Sequence, residues 1–179
     1  GRDYPSQRIG RAIAGLFSAR VKNTDGRFNS FNSASPLFGK ILPGRPVRTQ
    51  MTEGTSTVTM WQGYLDTIEP IPRLGGAHEG VLRAIGPLGI ISQRDVNVAM
   101  MTAVTTGSAV NEILDQVGWS SGLRSIDAGQ PTMNRWFTGG RVNALYALAE
   151  VADTEAGFIR ETKDGKIAFE DRHHRLKND

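Results

Sequence analysis

Residues 56–70 read STVTMWQGYLDTIEP, and the density of Val, Thr, Trp, Tyr and Ile in that stretch predicts a β-strand. Gly63 sits in its middle and predicts a bulge or bend where the strand curls over a barrel corner. Upstream, LPGRPVRTQM (42–51) opens with a Pro43-Gly44 turn and continues extended, because Pro46 fixes its own backbone and disfavours helix at Arg45. Further back, AGLFSARVK (14–22) alternates Leu16, Ser18 and Arg20 against Phe17, Ala19 and Val21, the period of a half-buried strand. The Asp25-Gly26 pair then stops it with a turn. Downstream, beyond the turn-like residues 70–80, VLRAIGPLGII (81–91) predicts at least one more strand. Strands with glycine bends and no intervening helix predict a small antiparallel β-barrel or strongly curled sheet over residues 1–92.

Between the first two strands, RFNSFNSASPLFGKI (27–41) has neither helical nor strand period. It reads as an ordered loop pinned by Phe28, Phe31, Leu37 and Phe38, which should pack against the body of the protein or a neighbour. Residues 93–179 change character. Thr106 or Ser108 is placed to cap a helix whose apolar face is Val110, Ile113, Leu114 and Val117, with Gly118 as its stop. GLRSIDAG (122–129) predicts a short strand. A second helical pattern follows with Val142, Leu145, Leu148, Ala149 and Ala152, and residues 157–172 form a hairpin around Asp164-Gly165. The expected class is therefore α+β: a barrel-like domain over 1–92, then a domain over 93–179 with two helices and a C-terminal hairpin.

Composition narrows the chemistry. Of the 179 residues, 39% are hydrophobic, which is enough for a packed core, and 21 glycines favour a turn-rich, strand-containing protein. Without cysteine there are no disulfides or thiolate metal sites. The 21 basic residues exceed the 18 acidic ones only slightly and are scattered, so direct nucleic-acid binding is not expected. No apolar run approaches the roughly 18–20 residues that span a bilayer. The first residue is Gly1 and not Met, as expected of an excised piece of a longer protein.

The densest group of potential catalytic or metal-binding side chains is FEDRHHR, with Glu170, Asp171, His173 and His174. Adjacent histidines on an extended chain point to opposite sides, so the segment reads as a solvated strand end. His78 and Glu79 lie in a glycine-flanked loop with no nucleophile beside them and read as surface residues. GRPVR (44–48) and RLGGAHEG (73–80) lack the glycine spacing and following helix of a phosphate loop. Asp153 and Glu155 end the second predicted helix, where negative charge is mildly unfavourable; solvation at a frayed end is expected, with a local role such as an inter-strand or interface salt bridge as the alternative. At least two of Trp61, Trp119 and Trp136 are expected in packing. Neither a cofactor nor a small-molecule substrate is expected.

In order along the chain, NTDGRF (23–28), NSASP (32–36), LPGRPVR (42–48), GYLDTI (63–68) and the helix–hairpin run 144–175 resemble tail-tip and baseplate-hub proteins of tailed bacteriophages and prophages. The resemblance implies a non-enzymatic structural protein of the virion tail, made in the host cytoplasm. It further implies a homo-oligomeric ring, commonly a trimer, that joins the tail tube to host-contacting parts and meets other tail proteins. Asp25, Gly26, Arg27, Phe28, Phe31, Pro43, Gly44, Arg45, Pro46 and Trp61 are then the structural or interface candidates. The alternatives are a cell-wall hydrolase fragment using His78 or the Glu170–His174 segment, and a carbohydrate- or nucleic-acid-binding module using the curled sheet and its tryptophans.

Overall fold

The computed structural model describes residues 13–73 and 78–177, with the side chains of Arg175 and Lys177 left out. The described residues divide into two compact units, one spanning Gly15–Gly86 and the other running from Pro87 onward together with Ile13 and Ala14. The division falls at Gly86, whereas the sequence reading set it at 92. Residues 1–12 and 74–77 of the expected barrel region lie outside the described residues. Among the described residues no helix is long and apolar enough to cross a membrane.

The first unit is a four-stranded antiparallel sheet, curled into half a barrel. Its strands are β1 (Leu16–Lys22), β2 (Pro46–Glu53), β3 (Ser56–Ile71) and β4 (Glu79–Ile85), in the order β1-β4-β3-β2. Residues paired across neighbouring strands share a face. Phe17 opposite Ala84, Ala84 opposite Leu65, and Val47 opposite Gly63 therefore mark one apolar side of the sheet. The predicted irregularity of the central strand occurs on either side of Gly63, not at it. The register shifts between Thr49 and Gln50, leaving Met60 unpaired, and again between Leu65 and Thr67, leaving Asp66 unpaired. Such bulges increase the local twist and so curl the sheet. Gly63 instead allows close packing, since a Cβ there would run into the Trp61 ring and the Ile85 carbonyl oxygen. Trp61 stacks on Phe17 with ring centroids 5.2 Å apart and an interplanar angle of 19°.

Helix begins sooner than the sequence pattern suggested. The run 81–91 was expected to give at least one more strand; β4 supplies it but ends at Ile85, and α1 spans Pro87–Ile91. Proline at the first helical turn gives up an amide that has no intrahelical partner anyway. The second unit then continues with β5 (Asp95–Val96), β6 (Met101–Thr105), α2 (Thr106–Gln116), β7 (Arg124–Ile126), β8 (Thr132–Trp136), β9 (Val142–Asn143), α3 (Ala144–Glu155), β10 (Phe158–Glu161), β11 (Ile167–Glu170) and α4 (His174–Lys177). β10-β11-β7 form one sheet, with β7 parallel to β11, and β5-β9 and β6-β8 form two-stranded pairs. Leu88, Ile91, Ile113, Leu114, Leu148 and Phe169 are fully buried at the centre of this unit.

The helix ends refine the sequence reading. The cap of α2 is Thr105, whose side chain accepts from the Ser108 amide; Thr106 lies inside the helix and Gly118 has the left-handed φ of +69° that ends it. Asn143 caps α3, its Oδ1 accepting from the Leu145 and Tyr146 amides. The buried face of α3 is Ala144, Ala147, Leu148, Val151, Ala152 and Glu155; of the predicted face Leu148 and Ala152 are buried, and Val142 and Leu145 pack partly buried against the core.

Glu155 overturns the expectation of a solvated helix end, because it is 0% exposed. Its Oε2 accepts from Thr106 Oγ1 at 2.6 Å and from the Gln130 amide at 3.1 Å, and its Oε1 from Arg172 Nε at 3.1 Å. One carboxylate thus ties the start of α2, the 127–130 loop, the end of α3 and the chain beyond β11. Gly129 makes room for it: φ is +84°, and a Cβ would collide with Thr106 Oγ1. Glu155→Ala leaves the Thr106 hydroxyl and the Gln130 amide without their acceptor, and an unsatisfied buried polar group costs about 1–3 kcal/mol, so the substitution should lower the unit's stability by about that amount or more. Thr106→Val should cost about 1 kcal/mol. Urea unfolding followed by helical circular dichroism measures both, and an unchanged midpoint for Glu155→Ala would contradict this account.

Candidate interaction surfaces

The loop after β1 is held by polar side chains. Five hydrogen bonds repeat at a spacing of three residues: the amides of Gly26, Asn29, Asn32, Ser35 and Phe38 donate to the carbonyls of Asn23, Gly26, Asn29, Asn32 and Ser35, at 3.0–3.1 Å. Within three of these turns the first side chain accepts from the amide two residues on. Asn29 Oδ1 takes Phe31 N (3.0 Å), Asn32 Oδ1 takes Ala34 N (3.1 Å), and Ser35 Oγ takes Leu37 N (3.0 Å). Asn and Ser side chains mimic a backbone turn in this way. Longer bonds close the loop on itself: Asn23 Oδ1 accepts from Phe28 N at 2.9 Å, Asn32 Nδ2 donates to Gly26 O at 3.2 Å, and Ser35 Oγ donates to Arg27 O at 2.7 Å.

Phe31 and Phe38 therefore do not pin this loop. Phe31 is 91% exposed and Phe38 is also exposed, while Phe28 and Leu37 are half-buried. The backbone amides already have side-chain acceptors, so order does not require apolar anchors. The signal that sequence reasoning missed is the three-residue spacing of Asn29, Asn32 and Ser35.

The remaining interface candidates fall around this loop. Gly26 and Gly44 have φ of +67° and +80°, so both turns require glycine. Asp25 and Arg27 form an exposed ion pair at 2.6 Å. The Arg27 side chain holds the Asp25 carboxyl below its usual range, so the pairing is lost only as pH falls through that lowered value. The Gly44 amide donates to Leu65 O at 2.7 Å and the Leu65 amide to Arg45 O at 2.8 Å, which aligns Pro43–Pro46 along β3. Pro43, Arg45 and Pro46 are exposed, and Trp61 is half-buried against Phe17. Beyond β4, the first half of β3 pairs with β2 alone, and this two-stranded arm exposes Met51, Val58 and Met60.

The chemical candidates serve as local acceptors. Glu170 and Asp171 are buried, which corrects the expectation of a solvated strand end. Asp171 accepts from Gln130 Nε2 at 2.7 Å and from the His173 amide at 2.9 Å, and Glu170 pairs with Arg160 at 2.5 Å. His174 Nδ1 lies 2.7 Å from Asp127 Oδ2. The chain therefore folds back onto the 127–130 loop instead of leaving the unit as an extended strand. His78 accepts from the Arg73 amide, and Glu79 pairs with Arg73 at 2.9 Å. Trp119 and Trp136 pack against the core of the second unit.

The two kinds of loop residue should separate on mutation. Asn32→Ala removes both a donor and an acceptor and should lower stability by about 1–2 kcal/mol. Phe31→Ala should stay within about 0.5 kcal/mol of the native chain, as exposed positions do. The reverse order in thermal or urea unfolding would restore the apolar-anchor reading.

No protein-family model and no curated protein sequence matches the chain. Solved structures do. The 43 kDa tail protein of prophage MuSo2 from Shewanella oneidensis matches with a TM-score of 0.55 at 14% identity, over 89% of this chain and 46% of that one. A tail protein from Neisseria meningitidis matches with a TM-score of 0.50 at 14% identity, over 63% of this chain and 36% of that one. An E. coli type VI secretion system component, described as structurally similar to the T4 bacteriophage tail proteins gp27 and gp5, matches with a TM-score of 0.59 at 13% identity, over 89% of this chain and 43% of that one. The chain spans less than half the length of each of these structures. At such identities the likeness is one of architecture, and the fold of this chain is that of phage and prophage tail proteins.

Proposed function

We propose that this chain is a non-enzymatic structural component of a phage or prophage tail tip or baseplate hub. It associates into a ring that links the tail tube to host-contacting parts, and it resides in the virion tail. A trimer is the ring size that the sequence resemblance implies.

The observation that carries this reading is the incompleteness of the first unit. Among its described residues, Leu65 and Ala84 are the only buried hydrophobic side chains. Among the described residues both edge strands have just one neighbour. Unpaired strand edges and half-covered apolar faces are completed by association. Strand direction favours closure: three antiparallel pairings in the order β1-β4-β3-β2 leave the two edges running in opposite directions. Rotation about an axis along the strands brings β2 of one copy beside β1 of the next as an antiparallel pair, a head-to-tail contact that closes into a ring. The fold shared with tail proteins supports the same conclusion. The buried acids hold neighbouring elements together, which supports a non-enzymatic role.

The two units serve as separate domains, and the loop face of Arg27, Phe28 and Phe31, with Pro43–Pro46 and the Trp61 side of the sheet, meets neighbouring subunits or other tail proteins. Light scattering across a concentration series should give a mass above that of one chain, and a monomer at about 100 µM would contradict the ring. Phe31→Ala, silent for folding, should weaken that association by roughly tenfold, as loss of an exposed aromatic anchor does. A separate fragment from residue 87 onward should fold cooperatively alone, because it holds its own core. Failure of that fragment to fold would argue against independent domains.

A further inference from the structure

We infer that the outer face of α3 docks on the cationic face of β1 in a second copy of this chain, a contact that rests on the ring reading and specifies one of its surfaces. Tyr146, Glu150 and Asp153 are spaced by four and three residues, so they form one line along α3 on its solvent side. Tyr146 is 59% exposed. Among the described residues neither the Glu150 nor the Asp153 carboxylate has an ion-pair partner. Asp153 lies in the last turn of α3, which has no basic residue to offset the negative end of the helix dipole. That carboxylate is therefore unfavourably placed until a cation from outside the helix approaches it.

The complementary surface lies in the other unit. Arg20 and Lys22 project from the same exposed side of β1 and have no ion-pair partner among the described residues. With Thr24, His78 and Glu79 they line a depression of about 280 Å³. Their spacing of two residues on a strand is about 6.6 Å, close to the roughly 5–6 Å between helix positions three apart. Each carboxylate of α3 can thus meet one cation of β1, with Tyr146 offering a ring face to the flanking guanidinium. The unit that holds β1 is net positive, residues 15–86 carrying eight basic and five acidic residues. The two patches are different surfaces, so α3 of one copy meets β1 of another, a pairing that a head-to-tail ring would repeat from copy to copy. It uses side chains on a face of β1 and not its backbone edge.

A charge swap read by sedimentation equilibrium at low and high salt tests the contact. Arg20→Glu with Lys22→Glu should weaken association by roughly tenfold, and Glu150→Lys with Asp153→Lys should do the same, since like charges then face each other. The neutral pair Arg20→Gln and Lys22→Gln should show a smaller loss and guards against a folding artefact. All four reversals in one chain should restore association to within about threefold of the native value, with the salt dependence returning. Native association that is unaffected by either double reversal, or a fourfold variant no better than the doubles, overturns this contact and leaves the ring standing. A native chain that stays monomeric overturns both.

Discussion

A sheet whose apolar side is left mostly uncovered by the described residues of its own unit is the constraint on which the rest of this structure depends. Leu65 and Ala84 alone among the described hydrophobic residues of the first unit escape water, although Phe17, Val21, Trp61 and Leu82 are also present. A domain of about 70 residues is marginal even when its core is complete. The curl set by the bulges at Met60 and Asp66, and the fold of Trp61 across Gly63, cover part of this face from within. What remains exposed is a built-in reason to associate. The second unit has no such deficit, since its helices and sheet enclose a core of fully buried side chains.

Polar side chains supply much of the remaining order, and they do so in two settings. On the surface, Asn29, Asn32 and Ser35 accept amides in successive turns and hold a loop of more than a dozen residues in which Phe31 and Phe38 stay exposed. In the interior, Glu155 collects donors from three other parts of its unit. Both devices leave apolar side chains such as Phe31 free for contact with other molecules.

The strands were legible in the sequence because their burial period is local: β1, β2, β3 and the β10–β11 hairpin all lie where alternation and turn residues placed them. Gly26, Gly44, Gly118 and Gly165 were legible for the same reason, as each has the positive φ that its turn or helix end requires. What was not legible depends on partners distant in sequence. Nothing near Glu155 indicates that Thr106, Gln130 and Arg172 converge on it. Glu170 and Asp171 likewise looked like surface residues until the chain folded back on the 127–130 loop. The strand expected within residues 81–91 is present but stops at Ile85, because the apolar residues beyond it suit a buried helix turn equally well and Pro87 starts one.

Completion of the first unit by association is the central claim. Hydrogen exchange measured across a range of protein concentrations tests it directly, because protection gained by association must rise with concentration while intrinsic protection does not. Amides of the edge strands β1 and β2 should become markedly more protected as concentration rises, while those of α2 and β11, inside the core of the second unit, stay unchanged. Edge-strand protection that is independent of concentration would contradict the claim.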